Sequence, residues 1–193
     1  MKFLASFLCM LLSTALVAMA QAPVQVVPLN LKLKKVSWAE ITTPKFQTDI
    51  PDKRSDKLKW IEIEVEFDID KIPDGQVIDE LTFKYTVLLN GKLYTGDVTH
   101  VNISKGNNRY SVMYMSPRSI ERATLGKPFT AGMLDNIWVV VEHQGQKLGQ
   151  EQIKKVIIPN MPQTTGMLVP KSETPFQVLW WDRYESVKPT LGR

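Results

Sequence analysis

The feature that most constrains the fold is a strict alternation of apolar and acidic residues after Lys59. Apolar residues occupy one parity: Ile61, Ile63, Val65, Phe67 and Ile69. Acidic residues occupy the other: Glu62, Glu64, Glu66 and Asp68. Because successive side chains of a strand point to opposite faces, this pattern predicts a β-strand with one buried face and one solvated face. Strands of this kind are typical of antiparallel sheets.

The same reasoning predicts further strands, separated by short turn signals. The seven predicted strands cover residues 29–34, 59–69, 81–89, 92–103, 109–115, 137–142 and 147–158. The turn signals between them are Pro73-Asp74-Gly75, Asn90-Gly91, Gly106-Asn107-Asn108 and Gln144-Gly145. Asn-Gly supplies the two positive-φ residues of a tight hairpin, so residues 81–103 are expected to form one. Pro159 is expected to end the last strand.

One short helix is expected, over residues 118–123. Ser116 before Pro117 has the pattern of a helix N-cap followed by proline at the first helical position. Many strands with almost no helix predict an all-β fold, an immunoglobulin-like antiparallel β-sandwich with one short helix and a C-terminal aromatic arm. A closed barrel is the alternative. Trp60 or Trp138 is expected to supply the large buried ring at the centre of the core.

The first twenty residues have the plan of a cleaved signal peptide. Lys2 precedes an apolar run over residues 3–17, and the small residues Ala18 and Ala20 follow it. The run is shorter than the roughly 20 residues that span a bilayer, and no transmembrane segment is expected after cleavage. We therefore expect an exported protein that resides in the periplasm, at the outer membrane or on the cell surface. The predicted organisation is a signal peptide over 1–20, a leader over 21–28, a sandwich over 29–159 and an extension over 160–193, which packs on the domain or on a partner.

Composition argues against several functional classes. The 24 Lys and Arg residues exceed the 20 Asp and Glu residues by only four, and both signs are interleaved, so no nucleic-acid partner is expected. One cysteine, Cys9, and two histidines are too few for a soft-metal cluster, and no cofactor is expected. His100 and His143 fall on different predicted strands, outside any catalytic motif. We therefore nominate no catalytic residue and expect a protein that is not an enzyme.

The acidic row beginning at Glu62 has two interpretations. It could attract a cationic partner or calcium, but a solvated face paired with Lys and Arg on adjacent strands is the favoured interpretation. The run from Asp68 to Gly75 has some features of a calcium loop. Ile72 stands where that loop requires an oxygen ligand, so no metal site is expected.

The best candidate for function is the aromatic cluster near the C-terminus. Its candidate interaction residues are Phe176, Trp180, Trp181 and Tyr184. Trp and Tyr dominate the energetics of protein–protein interfaces, which favours a binding role. The alternative is an arm folded onto the core of its own domain, because large exposed apolar patches are rare on monomers. Both hold if the arm docks on a neighbouring subunit.

Two segments carry a family resemblance, Leu31-Lys32-Leu33-Lys34-Lys35-Val36-Ser37-Trp38 and Pro175-Phe176-Gln177-Val178-Leu179-Trp180-Trp181. With the signal peptide and the long β region, they make the chain resemble a verrucomicrobial pilus-like protein family. Members of that family are encoded beside secretin and pilus-assembly genes. The resemblance implies an immunoglobulin-like fold similar to that of archaeal type IV pilus subunits, and a part in a pilus-associated surface structure.

The sequence departs from an ordinary type IV pilin at its N-terminus. Such a pilin keeps its apolar helix after cleavage, with an acidic residue just inside it, whereas here no acidic residue precedes Glu40. We therefore expect a non-enzymatic exported protein that works by protein–protein contact in a pilus or secretin assembly. It would act there either as an accessory or periplasmic component or by self-association through its β-domain. The alternative is a surface adhesin or glycan-binding module that uses the C-terminal aromatic residues as stacking platforms.

Overall fold

The computed structural model describes residues 29–46 and 58–189. The predicted signal peptide over 1–20 and the leader over 21–28 lie outside the described residues, as do the last four residues of the extension. Within the described part the only α-helix has seven residues, and no helix there is long and apolar enough to cross a membrane.

Nine strands form two sheets that face each other, so the predicted all-β sandwich is confirmed. The elements in chain order are β1 Asn30–Thr42, β2 Lys59–Asp70, β3 Val77–Leu89, β4 Lys92–Ser104, β5 Gly106–Met115, α1 Pro117–Ala123, β6 Leu134–His143, β7 Gln146–Gln152, β8 Gln163–Thr165 and β9 Leu168–Pro170. The first sheet has the order β1-β2-β5-β9 and the second β7-β6-β3-β4-β8. Every pairing is antiparallel except that of β4 with β8.

The core lies between the inner faces of the two sheets. The apolar parity of β2 is almost completely buried, as the alternation predicts. Phe67 of β2 meets Phe83 of β3 across the interface, with 5.0 Å between their ring centroids. Burial of alternate residues from both sheets is the main stabilising contribution in a sandwich.

Three of the four turn signals, at residues 73–75, 90–91 and 144–145, and the helix signal are confirmed. Asn90 and Gly91 have φ of 49° and 70°, the left-handed pair that a tight hairpin requires. Ser116 caps α1, because its hydroxyl oxygen accepts the Ser119 backbone N–H at 3.1 Å.

Several predicted boundaries are wrong. The first strand, predicted over residues 29–34, continues to Thr42. Residues 106–108, expected as a turn, begin β5, and only Lys105 separates β5 from β4. The strand predicted over 147–158 ends at Gln152, six residues early. Beyond Gln152 a side chain replaces the backbone pairing between β6 and β7. Asn136 Oδ1 of β6 accepts the Lys154 backbone N–H at 2.7 Å.

The expectation that Trp60 or Trp138 supplies the large buried ring at the centre of the core is right about burial and wrong about position. Both rings are buried, at 8% and 1% exposure, but each has the parity of its sheet's outer face. Trp60 belongs to a separate cluster with Tyr114 and Phe176 on the first sheet. Trp138 donates its indole N–H to the Val156 carbonyl, so the segment after β7 covers it. A later segment of the chain therefore buries each tryptophan from outside.

The two lateral sides of the sandwich differ. On one side, β9 and β8 pair with β5 and β4, and residues 184–188 add backbone hydrogen bonds to both strands. On the other side, β1 and β7 have no further strand partner among the residues described. Each carries a bulge, at Leu33/Lys35 in β1 and at Leu148 in β7. Bulges at edge strands discourage pairing with another chain.

Candidate functional site: the C-terminal aromatic arm

The C-terminal arm, which we define as residues 171–189, lies on the outer face of the first sheet. It begins with a single 3₁₀ turn, Lys171–Glu173. Thr174 is buried and its hydroxyl donates to the Lys171 carbonyl at 2.8 Å, while its oxygen accepts the Phe176 N–H at 3.2 Å. This local turn directs Phe176 down onto the sheet.

Three rings form a stack that rises from the sheet to the surface, and we call Tyr114, Phe176 and Trp180 the ring stack. The centroids of Tyr114 and Phe176 are 4.9 Å apart and the planes differ by 8°. Trp180 lies over Phe176 at 6.3 Å and 13°. Trp60 meets the first two rings edge-on, at 6.5 and 5.5 Å. Offset-stacked and edge-on rings attract beyond their buried area, so the cluster fixes the position of the arm.

The arm and β5 together supply hydrogen-bond partners for half of the acidic row on β2. Glu64 accepts hydrogen bonds from Arg183, at 3.1 and 3.2 Å, and from the Tyr184 hydroxyl. Glu62 accepts the Tyr114 hydroxyl at 2.9 Å. Burial raises the pKa of Glu62 and also that of the Tyr184 hydroxyl.

The predicted solvated acidic face is therefore only partly right. Glu66 and Asp68 do pair with a lysine on the adjacent strand, since Lys34 Nζ of β1 lies 3.3 and 2.9 Å from their carboxylates. Glu62 and Glu64 instead have partners from β5 and the arm. No group of three His, Cys, Asp or Glu suited to a metal occurs in the part of the chain that the structure describes.

Charged contacts hold the rest of the arm. The Arg183 guanidinium lies 3.8 Å from the centroid of the Tyr110 ring, a short cation–π distance. Glu185 pairs with Arg109 on β5, and Lys188 pairs with Glu80 on β3. The arm thus contacts both sheets.

The four predicted interaction residues divide into two pairs. Phe176 is 1% exposed and Tyr184 is half-buried with its hydroxyl on Glu64, so both anchor the arm. Trp180 and Trp181 are 47% and 80% exposed, and nearby Val178 is 66% exposed. We call Val178, Trp180 and Trp181 the arm patch.

Trp180 has a strained backbone. Its φ is 50°, in the left-handed region that bulky residues rarely adopt. Such a conformation costs of order 1–3 kcal/mol and persists only where its surroundings impose it. Here that conformation puts one face of the indole against Phe176 and leaves much of the ring in solvent.

A buried polar network, which the sequence did not predict, joins the arm to the core. His100 Nε2 lies 2.7 Å from the Ser111 hydroxyl, which also accepts the Tyr85 hydroxyl at 2.7 Å. His100 Nδ1 donates to the Glu185 carbonyl at 3.1 Å. Burial lowers the pKa of His100 to about 4, so the ring is neutral near pH 7. In the sequence, only the position of His100 on the inward-facing parity of β4 could have predicted that it is buried in this network.

The fold and the arm define the class of this protein: an immunoglobulin-like β-sandwich whose C-terminal arm covers one sheet and presents two tryptophans. A protein-family model matches residues 22–190, which is most of the chain, and the chain belongs to that family.

A crystal structure from Akkermansia muciniphila, a verrucomicrobium, is similar to this chain. It is 25% identical, has a TM-score of 0.73, and the match covers 84% of this chain and 94% of that one. The expected likeness to a verrucomicrobial protein is thereby confirmed. Among curated proteins the comparison gives no match.

Proposed function

We propose that this chain is an exported, non-enzymatic protein that works by protein–protein contact in a pilus- or secretin-linked surface assembly. The observation that carries the proposal is the arm patch. The arm buries Phe176 and half-buries Tyr184, but leaves Trp180 and Trp181 in solvent on a firmly held segment. Exposed tryptophans on a rigid scaffold are the residues that dominate protein interfaces, because little conformational entropy is lost when they bind.

Export and cell-surface assembly are supported by the sequence. Residues 1–20 have the pattern of a signal peptide, and two segments carry the resemblance to the pilus-like family. The guarded edges of β1 and β7 support contact through a face of the sandwich rather than strand addition at an edge.

The burial of the His100–Ser111 pair supports a role without catalysis. Ser111 and His100 form a pair with the distance of a nucleophile and its base, but both are at most 1% exposed. The histidine is held by the Glu185 carbonyl and not by a carboxylate. A pair enclosed in this way cannot reach a substrate.

Site-specific photo-crosslinking in the native bacterium tests this function. A photoreactive amino acid is placed at Trp181, and a matched one at Lys147, which is exposed on β7. We expect crosslinks from position 181, and not from 147, to a pilus or secretin component in the cell envelope. Recovery of the protein in the cytoplasm with its N-terminus uncleaved, or equal crosslinking from both positions, would overturn the proposal.

Glycan binding is a second candidate, and the ring stack favours it. Trp180 ends a series of parallel rings, and its outer side is open. A pyranose ring stacks on such a platform through its apolar C–H face. Isothermal titration with sugars selected from a glycan array tests this function. Trp180→Ala is expected to abolish binding while Lys147→Ala leaves it unchanged, and an array without hits on the wild-type protein excludes this candidate.

A further inference from the structure

A second exposed apolar surface lies in the segment that follows β7. Val156 and Ile157 are 52% and 90% exposed, and the exposed Lys154 and Lys155 precede them. We call these four residues the knob. Within the described part of the chain, neither lysine forms an ion pair.

Side chains of β6 hold the backbone of the knob in place. Asn136 Nδ2 donates to the Lys154 carbonyl at 2.9 Å, and Asn136 Oδ1 accepts the Lys154 N–H at 2.7 Å. Trp138 Nε1 donates to the Val156 carbonyl at 2.6 Å. The aliphatic side chains are thus presented to solvent from a fixed backbone, which lowers the entropy that binding would cost.

The knob and the arm patch lie on opposite outer faces of the sandwich. Asn136 and Trp138 have the outward parity of the second sheet, whereas the arm lies on the outer face of the first. The two surfaces are also complementary in charge. The knob joins aliphatic side chains to two lysines. Beside the arm patch lies the exposed carboxylate of Asp182, whereas the neighbouring Arg183 is paired with Glu64.

We propose that copies of this chain associate head to tail, with the knob of one copy seated on the arm patch of the next. This inference rests on the proposed function and names a second copy as the partner. Each surface meets a different surface, so the contact is heterologous, and repeating it gives a ring or an open filament. Lys154 or Lys155 would face Asp182 across the contact, which favours one orientation.

Mixing two single-surface variants tests the proposal. The protein is purified as the cell produces it, its N-terminus is read by mass spectrometry, and its mass is measured by sedimentation velocity over a range of concentrations. Ile157→Asp disables the knob and leaves the arm patch intact. Trp181→Asp does the reverse. Lys147→Asp, on exposed β7, is the matched control.

We expect wild type and the Lys147→Asp control to form species that grow with concentration. Each knob or patch variant alone is expected to bind itself at least about 30-fold more weakly. An equimolar mixture of the two is expected to form dimers and nothing larger, because one intact knob meets one intact patch. A self-complementary interface would not give this result. Circular dichroism checks that both variants are folded.

Two outcomes would overturn the head-to-tail contact. One is a wild-type protein that stays monomeric at every concentration up to the millimolar range. The other is a mixture whose components do not combine. Neither outcome affects the proposed function, because crosslinks from position 181 to a different envelope protein would still support that function while excluding a second copy as the partner.

Discussion

The ring of Phe176 lies parallel to that of Tyr114, with 4.9 Å between the centroids and 8° between the planes. This contact joins the C-terminal arm to the middle of the first sheet. It is the deepest point of the arm, since Phe176 is almost completely buried. The stability of the arm's attachment to the sheet should therefore depend strongly on the Phe176 side chain.

Phe176→Ala should lower the free energy of unfolding by about 3–5 kcal/mol, because it removes a buried ring and leaves a cavity beside Trp60 and Tyr114. Urea denaturation followed by tryptophan fluorescence measures the change. Trp181→Ala is the control and should change stability by less than about 0.5 kcal/mol, because that side chain lies mainly in solvent. Equal effects of the two substitutions would contradict this account of the arm.

His100 should make stability depend on pH. Its pKa is about 4 in the folded protein and 6.5 when unperturbed, so the unfolded state binds a proton first as the pH falls. The free energy of unfolding should therefore decrease between about pH 6.5 and pH 4, by about 3 kcal/mol in total, and should be unaffected by this group above pH 7.

His100→Gln isolates that contribution. A glutamine amide can donate to the Glu185 carbonyl and accept from Ser111, but it does not titrate. In chemical denaturation from pH 8 to pH 4, the free energy of unfolding of wild type should decrease relative to that of the variant as the pH falls. Parallel profiles would show that His100 is not the group responsible.

Gly96→Ala should be destabilising by about 1–3 kcal/mol, because the added methyl would lie 2.7 Å from Leu168 Cβ, where β9 crosses β4. Gly132→Ala is the matched control, since a methyl there meets nothing within 4 Å and its φ is not positive. Thermal unfolding by circular dichroism compares the two. A Gly96→Ala variant as stable as the control would mean that β9 does not approach β4 this closely.

Truncation after Pro175 should destabilise the isolated domain. It removes the Phe176 contact, and it exposes the edges of β4 and β5 that residues 184–188 cover. We expect a lower melting temperature and concentration-dependent aggregation, measured by differential scanning fluorimetry and light scattering. A truncated protein that melts like the full chain would show that the arm contributes nothing to the fold.

The sequence predicts the strands and turns well because their signals are local. The alternation in β2 and the Asn90-Gly91 pair each specify a backbone conformation within a few residues. The short strands β8 and β9 have three residues each and no room for an alternating pattern. Only their pairing with β4 and β5 makes them strands.

The site could be predicted only in part, because burial of an outer face depends on residues far away in the chain. The aromatic cluster is visible in the sequence, but its division into anchoring and exposed rings is not. Glu64 looks like a solvated strand residue until Arg183 and Tyr184 cover it. Trp138 has the outward parity of its strand, and the later Val156 segment decides that it is buried.

The bonds between the arm and the sheets also set an order for folding. Tyr184 lies 120 residues after Glu64, and Glu185 lies 85 residues after His100. These contacts close long loops, so they form late and slowly, and only after residues 183–185 have been synthesised. A nascent chain that still lacks these residues leaves two strand edges open and cannot reach its native state. For a chain exported as we propose, this delay extends the time during which the chain is incompletely folded, and so transportable, until residues 184–188 have been made.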